Sequence, residues 1–252
     1  MFASMLASID FPKRSLICFT GGGGKTTLML RLARHLTPNS VIVTSTTKMG
    51  ESEVPPQEAL LEDISSGSAD IKNKLLEKKR LFLFREFKDG KYHGFAPDAV
   101  AALYRSRRAS YVLAEADGAR RLPLKGYEIH EPPLPDSFDY QIIVVGVDAF
   151  LQPMNERTVA RFEIVRRFLG GERNETLTPP LLLKLLTSPD MYMKNSPPET
   201  KRILCLNKAD LMDPASLAVW TRYLRSHLRG YYGIGITGRG REGSFMRASQ
   251  EV

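Results

Sequence analysis

Along the chain, short runs of consecutive apolar residues alternate with longer stretches whose apolar residues recur every three to four positions, joined by glycine-, proline- or hydroxyl-rich connections. The first kind reads as strands buried on both faces and the second as helices laid over them. The pattern therefore predicts an α/β fold with a mostly parallel sheet flanked by helices. Strands are expected at residues 16–20, 40–44, 111–114, 140–145 and 203–206, and helices at 28–36, 58–64, 71–79, 97–107, 156–169, 180–186 and 214–229. Lys88-Asp89-Gly90 lies between apolar runs at 80–85 and 91–95, a turn signal that predicts a β-hairpin of those two runs. The stretch 45–100 reads as a lid and hairpin insertion in a single domain spanning 1–252, and the glycine-rich tail 230–252 has no assignable role.

Composition narrows the classes. With 42% hydrophobic and 25% charged residues over 252 positions, the chain can build a sizeable core and is neither disordered nor repetitive. No apolar run approaches the ~20 residues of a membrane span. Met1 to Asp10 has neither a basic n-region nor an apolar h-region, so no leader is expected and the location expected is cytoplasmic. Cys18 and Cys205 fall inside apolar runs and read as inert buried thiols. The net charge of +8 (36 − 28) suits nucleic acid, an anionic membrane surface or an anionic small molecule. No RNA-recognition motif, zinc-finger spacing or aromatic-interleaved basic stripe supports nucleic acid, so the excess is assigned to phosphates in a site and an acidic partner.

Three segments carry chemistry. Gly21-Gly22-Gly23-Gly24-Lys25-Thr26-Thr27 joins the first strand to the first helix. Four glycines leave no Cβ to keep backbone amides from turning toward a phosphate, and the positive end of a helix begins there. Lys25 would reach the β and γ phosphates and Thr26 would place its hydroxyl on Mg²⁺, as in a Walker A sequence, although the first glycine of that pattern falls at Phe19. Lys25, read as the cation of an exposed loop, is expected to be replaceable without loss of fold. A plain flexible linker is the alternative, but linkers are not followed at once by Lys-Thr-Thr and an amphipathic helix. In the second segment, the run at 111–114 delivers Glu115-Ala116-Asp117-Gly118 to a strand end. Glu115 and Asp117 are spaced to face one side and hold Mg²⁺ or orient water, and the Gly118 amide could meet the γ-phosphate. Beyond it, Arg120, Arg121 and Lys125 could clamp the triphosphate or an anionic second substrate, or be plain surface charge. The hydroxyl-rich 45–49 stretch is either a switch segment touching Mg²⁺ or a solvated turn. His130-Glu131 lacks the spacing of a zinc helix and is not read as a metal site.

The third segment, Asn207-Lys208-Ala209-Asp210, closes the strand at 203–206. Asp210 could accept from guanine N1–H and N2–H together, Asn207 could bond the base edge and tether the glycine loop, and the Lys208 stem could cover the ring, which favours GTP over ATP.

The Gly-Gly-x-Gly-Lys-Thr-Thr form resembles the P-loop of the dimerising NTPase class that includes signal-recognition GTPases and partition ATPases, which implies a homodimer. Partition-type members carry a lysine where this chain has Thr20, so a mechanism using a lysine lent by a partner subunit is not carried over. More narrowly, 20–27, 44–49, 115–133 and 146–161 resemble the YqeC family, most specifically in the four-glycine loop and Glu-Ala-Asp-Gly-Ala-Arg-Arg followed by Pro-Leu-Lys and His-Glu-Pro. That resemblance implies an accessory protein in selenium cofactor biosynthesis or in maturation of a selenium-dependent molybdenum hydroxylase, which would be its client. Three functions compete: a GTP-hydrolysing maturation factor with Lys25, Glu115 and Asp117 as the catalytic set, a phosphotransferase or ligase acting on a selenium or pterin substrate, and a nucleotide-switched binding protein without turnover.

Overall fold

A computed structural model describes residues 5, 8–62, 64, 69–239 and 243–248. The apolar runs that dominate the sequence become the centre of a sheet. They are β1 (Ser15–Gly21), β2 (Val41–Ser45), β8 (Tyr111–Glu115), β10 (Tyr140–Gly146) and β12 (Lys201–Asn207), numbered among all strands in chain order. With β4 (Ala59–Leu61), β5 (Arg80–Phe84), β13 (Gly233–Ile236) and β14 (Ser244–Arg247), the described residues form a nine-stranded sheet ordered β14-β13-β12-β10-β1-β8-β2-β5-β4. All its pairings are parallel except β13 with β14 at one edge. The chain is thus α/β with a large, mostly parallel sheet flanked by helices.

Period-2 alternation sorts each strand between two layers. Ile17, Phe19, Val41, Val43, Ile142, Val144, Ile203 and Cys205 pack on the face covered by α1 (Lys25–Leu36) through Leu28, Met29, Leu32 and Ala33. Leu16, Cys18, Ile42 and Val112 face the other way, under α2 (Ala69–Lys78) and α3 (Pro97–Arg105). Ile143, Val145, Leu204 and Leu206 share that second face under α4 (Phe162–Leu169), α5 (Pro179–Thr187) and α6 (Pro214–His227). Both thiols are buried and unpaired, and desolvation pushes their pKa up, which leaves them protonated. Among the described residues no helix is long and apolar enough to cross a membrane.

Four expectations change. The described residues of 58–64 make no α-helix: a short turn at Pro56–Glu58 leads into β4, which pairs in parallel with β5 at the sheet edge. An apolar triplet has no period of its own, and the pairing partner decides its state. The hairpin exists, but with different strands. Asp89 and Gly90 both take positive φ, as a two-residue turn requires, and join β6 (Glu86–Lys88) to β7 (Lys91–His93). Arg80–Phe84 instead enters the main sheet, where Phe82 and Phe84 are buried. The hairpin's other neighbour is β3 (Lys48–Gly50), paired antiparallel with β7. The helix expected from 156 starts only at Phe162: the Asn155 side chain accepts the Arg157 amide at 2.9 Å, Val159–Ala160 forms β11 against β9 (Leu124–Lys125), and Arg161 takes φ 56°. The tail also has a place, as β13 and β14 extend the sheet beyond β12.

Chain order fixes where ligands can bind. From β1 the chain crosses to β2 on one side, and from β8 it crosses over β1 to β10 on the other, so the carboxyl ends of β1, β8 and β10 meet at a topological switch point.

Candidate functional site

At that switch point the glycine loop turns from β1 into α1. Gly21, Gly23 and Gly24 have φ of 96°, 78° and 111°, and a Cβ at Gly23 would stand 2.3 Å from the Gly146 nitrogen. Only glycine satisfies both conditions at once. The loop's first amides are used by the protein: Gly21 N–H donates to Asp117 Oδ2 at 2.8 Å, Gly22 N–H to the Val144 carbonyl at 2.8 Å and Gly23 N–H to the Leu122 carbonyl at 2.8 Å. An anion cradle is therefore narrower than four consecutive glycines suggest. It is the start of α1, where the amides of Gly24 to Thr27 have no intrahelical acceptor and no side chain caps the turn.

Parallel register sets the acids beside this turn. Phe19 stands opposite Glu115, so the end of β8 lies next to the loop. Thr26 Oγ1 donates to Glu115 Oε2 at 2.7 Å. Lys25 Nζ donates to the Gly21 carbonyl at 2.7 Å and lies 2.9 Å from Asp117 Oδ1 and 3.7 Å from Glu115 Oε1. Lys25 is therefore not an exposed loop cation: its side chain is 4% exposed and that of Asp117 is 0%. Burial works against the Lys25 charge, but Asp117 and then Glu115 outweigh it and hold the ammonium above the ordinary lysine value. Burial likewise pushes the Glu115 carboxyl up, against the pull of Lys25 and the Thr26 hydroxyl.

The hydroxyl-rich segment after β2 supports this corner from below. Ser45 Oγ donates to the Glu115 carbonyl at 2.9 Å and accepts the Thr47 amide at 2.9 Å. From the far side, Asn207 Nδ2 donates to the Gly23 carbonyl at 2.7 Å, and Thr237 Oγ1 donates to Asn207 Oδ1 at 2.7 Å. Lys208 Nζ pairs with Asp148 Oδ2 at 2.6 Å. Asp210 Oδ1 accepts the Arg239 amide at 2.8 Å.

A cavity of about 740 Å³ opens over the turn. Gly23, Gly24, Lys25, Thr26, Thr27, Glu115, Gly118, Arg120, Arg121 and Lys208 line it; Asn207, Asp210 and Lys125 do not. Lys125 is the clear departure from the sequence reading. It is fully buried, with Nζ 2.7 Å from the Gly118 carbonyl and 3.2 Å from Glu131 Oε1, and desolvation draws its pKa down. Its charge holds the loop after β8 and is not offered to a ligand. Sequence reasoning missed Glu131, whose Oε2 also takes Arg161 Nη1 at 2.6 Å, and missed Lys48, Lys91 and Arg161 on the cavity wall. The prolines after Glu131 concealed an ion-pair centre, and nothing local to Lys48 or Lys91 distinguishes them from surface lysines.

Comparison with known proteins bears on most of the chain. The family model described as "YqeC protein" matches residues 17–163. A relative named "Uncharacterized protein YqeC", from Escherichia coli (strain K12), is 30% identical over 211 residues, covering 82% of this chain and 81% of its own. No solved structure matches.

Proposed function

The chain belongs to the YqeC family, and from that premise we propose that it is a Mg²⁺-dependent P-loop protein that binds and hydrolyses a nucleoside triphosphate, GTP before ATP, in maturation of a selenium-dependent molybdenum hydroxylase or its cofactor. One observation carries the reading: Lys25, Thr26, Glu115 and Asp117 come together from two adjacent strand ends at the uncapped start of α1. The maturation role rests on the family resemblance at residues 20–27, 44–49, 115–133 and 146–161.

The donors fit Mg²⁺. A hydroxyl and carboxylates are hard oxygen ligands, and Mg²⁺ is characteristically held by one or two carboxylates together with substrate phosphates. Among the described residues no three His, Cys, Asp or Glu side chains gather as a metal cage, so Thr26 and Glu115, with Asp117 behind them, would hold the ion jointly with the phosphates. When bound, Mg²⁺ would neutralise charge developing on the β and γ phosphates. The chain's own work is then positional. The first amides of α1 receive the phosphates. Lys25 exchanges Asp117 for the phosphate oxygens, and Glu115, released by Thr26, orients the attacking water. Asn207, fixed by Thr237, holds the Gly23 carbonyl and with it the loop's curvature.

Guanine preference is assigned to Asp210, whose carboxylate would exchange the Arg239 amide for guanine N1–H and N2–H. A base without those donors leaves the acceptor unpaired and should bind about 1–3 kcal/mol more weakly. Asp210→Asn should weaken GTP and favour xanthosine triphosphate, because an amide can accept from N1–H and donate to the oxygen at C2. A competition series with GTP, XTP and ATP on both proteins checks this, and equal affinity of the unaltered chain for GTP and ATP removes the guanine assignment.

A further inference from the structure

Resting on the nucleotide reading of the glycine loop, we propose that the same cavity holds a second ligand beside the triphosphate: a small phosphate-type oxoanion gripped by Lys48, Lys91, Arg120 and Arg121.

Space is the first argument. The cavity of about 740 Å³ is lined by more than the phosphate-facing residues Gly24, Thr26 and Glu115: Lys48, Lys91, Arg120 and Arg121 line it too, and Asp210, the candidate for reading guanine, does not.

Charge is the second. Most cations around this corner are already matched: Lys25 by Asp117, Lys125 and Arg161 by Glu131, and Lys208 by Asp148. Among the described residues, Lys48, Lys91, Arg120 and Arg121 have no carboxylate partner, yet all four line one cavity. They reach it from different parts of the chain. Lys48 and Lys91 come from the paired strands β3 and β7, in which Gly50 stands opposite Lys91, and the arginines come from the loop after β8. The cavity is open to solvent and its lining also carries Glu53, so the positive charges there outnumber the acid, and an entering anion would offset the excess.

The backbone is the third. Arg120 and Arg121 have φ of 49° and 64°, two consecutive non-glycine residues in the left-handed region. The Leu122 amide, donating to the Ala119 carbonyl at 2.8 Å, closes that turn. Both arginines of this turn line the cavity, where guanidinium groups can hold an oxoanion by paired hydrogen bonds. Among the described residues no aromatic ring lines the space, so they offer no platform for the stacked bases of a nucleic acid strand.

The test is calorimetric titration of inorganic phosphate into full-length protein saturated with Mg²⁺ and a non-hydrolysable GTP analogue. The variants are Arg120→Gln/Arg121→Gln and Lys48→Gln/Lys91→Gln; all four side chains are exposed, so folding is not at stake. The loaded protein should bind phosphate saturably, and each double variant should weaken phosphate by about tenfold or more while the analogue keeps its affinity. No phosphate binding, or phosphate binding unchanged in both variants, overturns the proposal. So does parallel loss of the analogue, which would assign the four cations to the nucleotide's own phosphates. Should the analogue fail to bind the unaltered chain, the nucleotide reading falls separately. The phosphate titration on nucleotide-free protein then still decides the anion site, by loss in the variants or by its persistence.

Discussion

Lys25→Ala is expected to destabilise the fold by about 3–5 kcal/mol, the cost of leaving a buried charge unpaired. The cause is Asp117. Its carboxylate is completely inaccessible, with one oxygen 2.9 Å from the Lys25 ammonium and the other holding the Gly21 amide. For a chain of this size that loss corresponds to a fall of roughly 6–20 °C in melting temperature. Lys25→Met/Asp117→Asn should recover most of it, since an asparagine still accepts the Gly21 amide and a methionine fills the lysine's volume without a charge. Thermal melts of the three proteins decide the matter. A Lys25→Ala protein as stable as the unaltered chain would show that the pair is not buried as described.

Glu115→Gln is expected to lower triphosphate hydrolysis by about 10²-fold or more while changing triphosphate affinity far less. Glutamine keeps the shape and can still accept the Thr26 hydroxyl, so the loop keeps its geometry. What disappears is the negative charge that would help hold the cation and align water. Single-turnover phosphate release measured beside equilibrium binding separates the two effects. An unchanged rate would move the acid's role to Asp117 or elsewhere.

The centre of the sheet was legible because β1, β8, β10 and β12 are long apolar runs that only a strand buried on both faces accommodates, and the chemistry-bearing residues sit at their carboxyl ends. Shorter pieces were not. Ala59-Leu60-Leu61 carries no period, and β13, with two glycines in four residues, has almost no apolar signature of its own. In the site, the neighbourhood of Lys25, Thr26, Glu115 and Asp117 followed from strand-end placement. That Lys25 is paired, and that Gly21 to Gly23 spend their amides on the protein, depends on atoms more than ninety residues away in Asp117, Leu122 and Val144. Lys125 shows the limit most plainly. A lysine beside two arginines reads as a clamp, yet β9 points it inward to Glu131 and the Gly118 carbonyl. The charges that do face the cavity, Lys48 and Lys91, lie over forty residues apart and meet only through strand pairing.

Titration of Mg²⁺–GTP into the unaltered chain and into the folded Lys25→Met/Asp117→Asn protein tests the central claim most directly. The account predicts saturable binding by the unaltered chain that weakens when Mg²⁺ is chelated, and an affinity about 10- to 100-fold lower in the double variant, which has lost the cation's contact with the phosphates and one acid. Binding of equal strength by both proteins, or none by the unaltered chain, would contradict it.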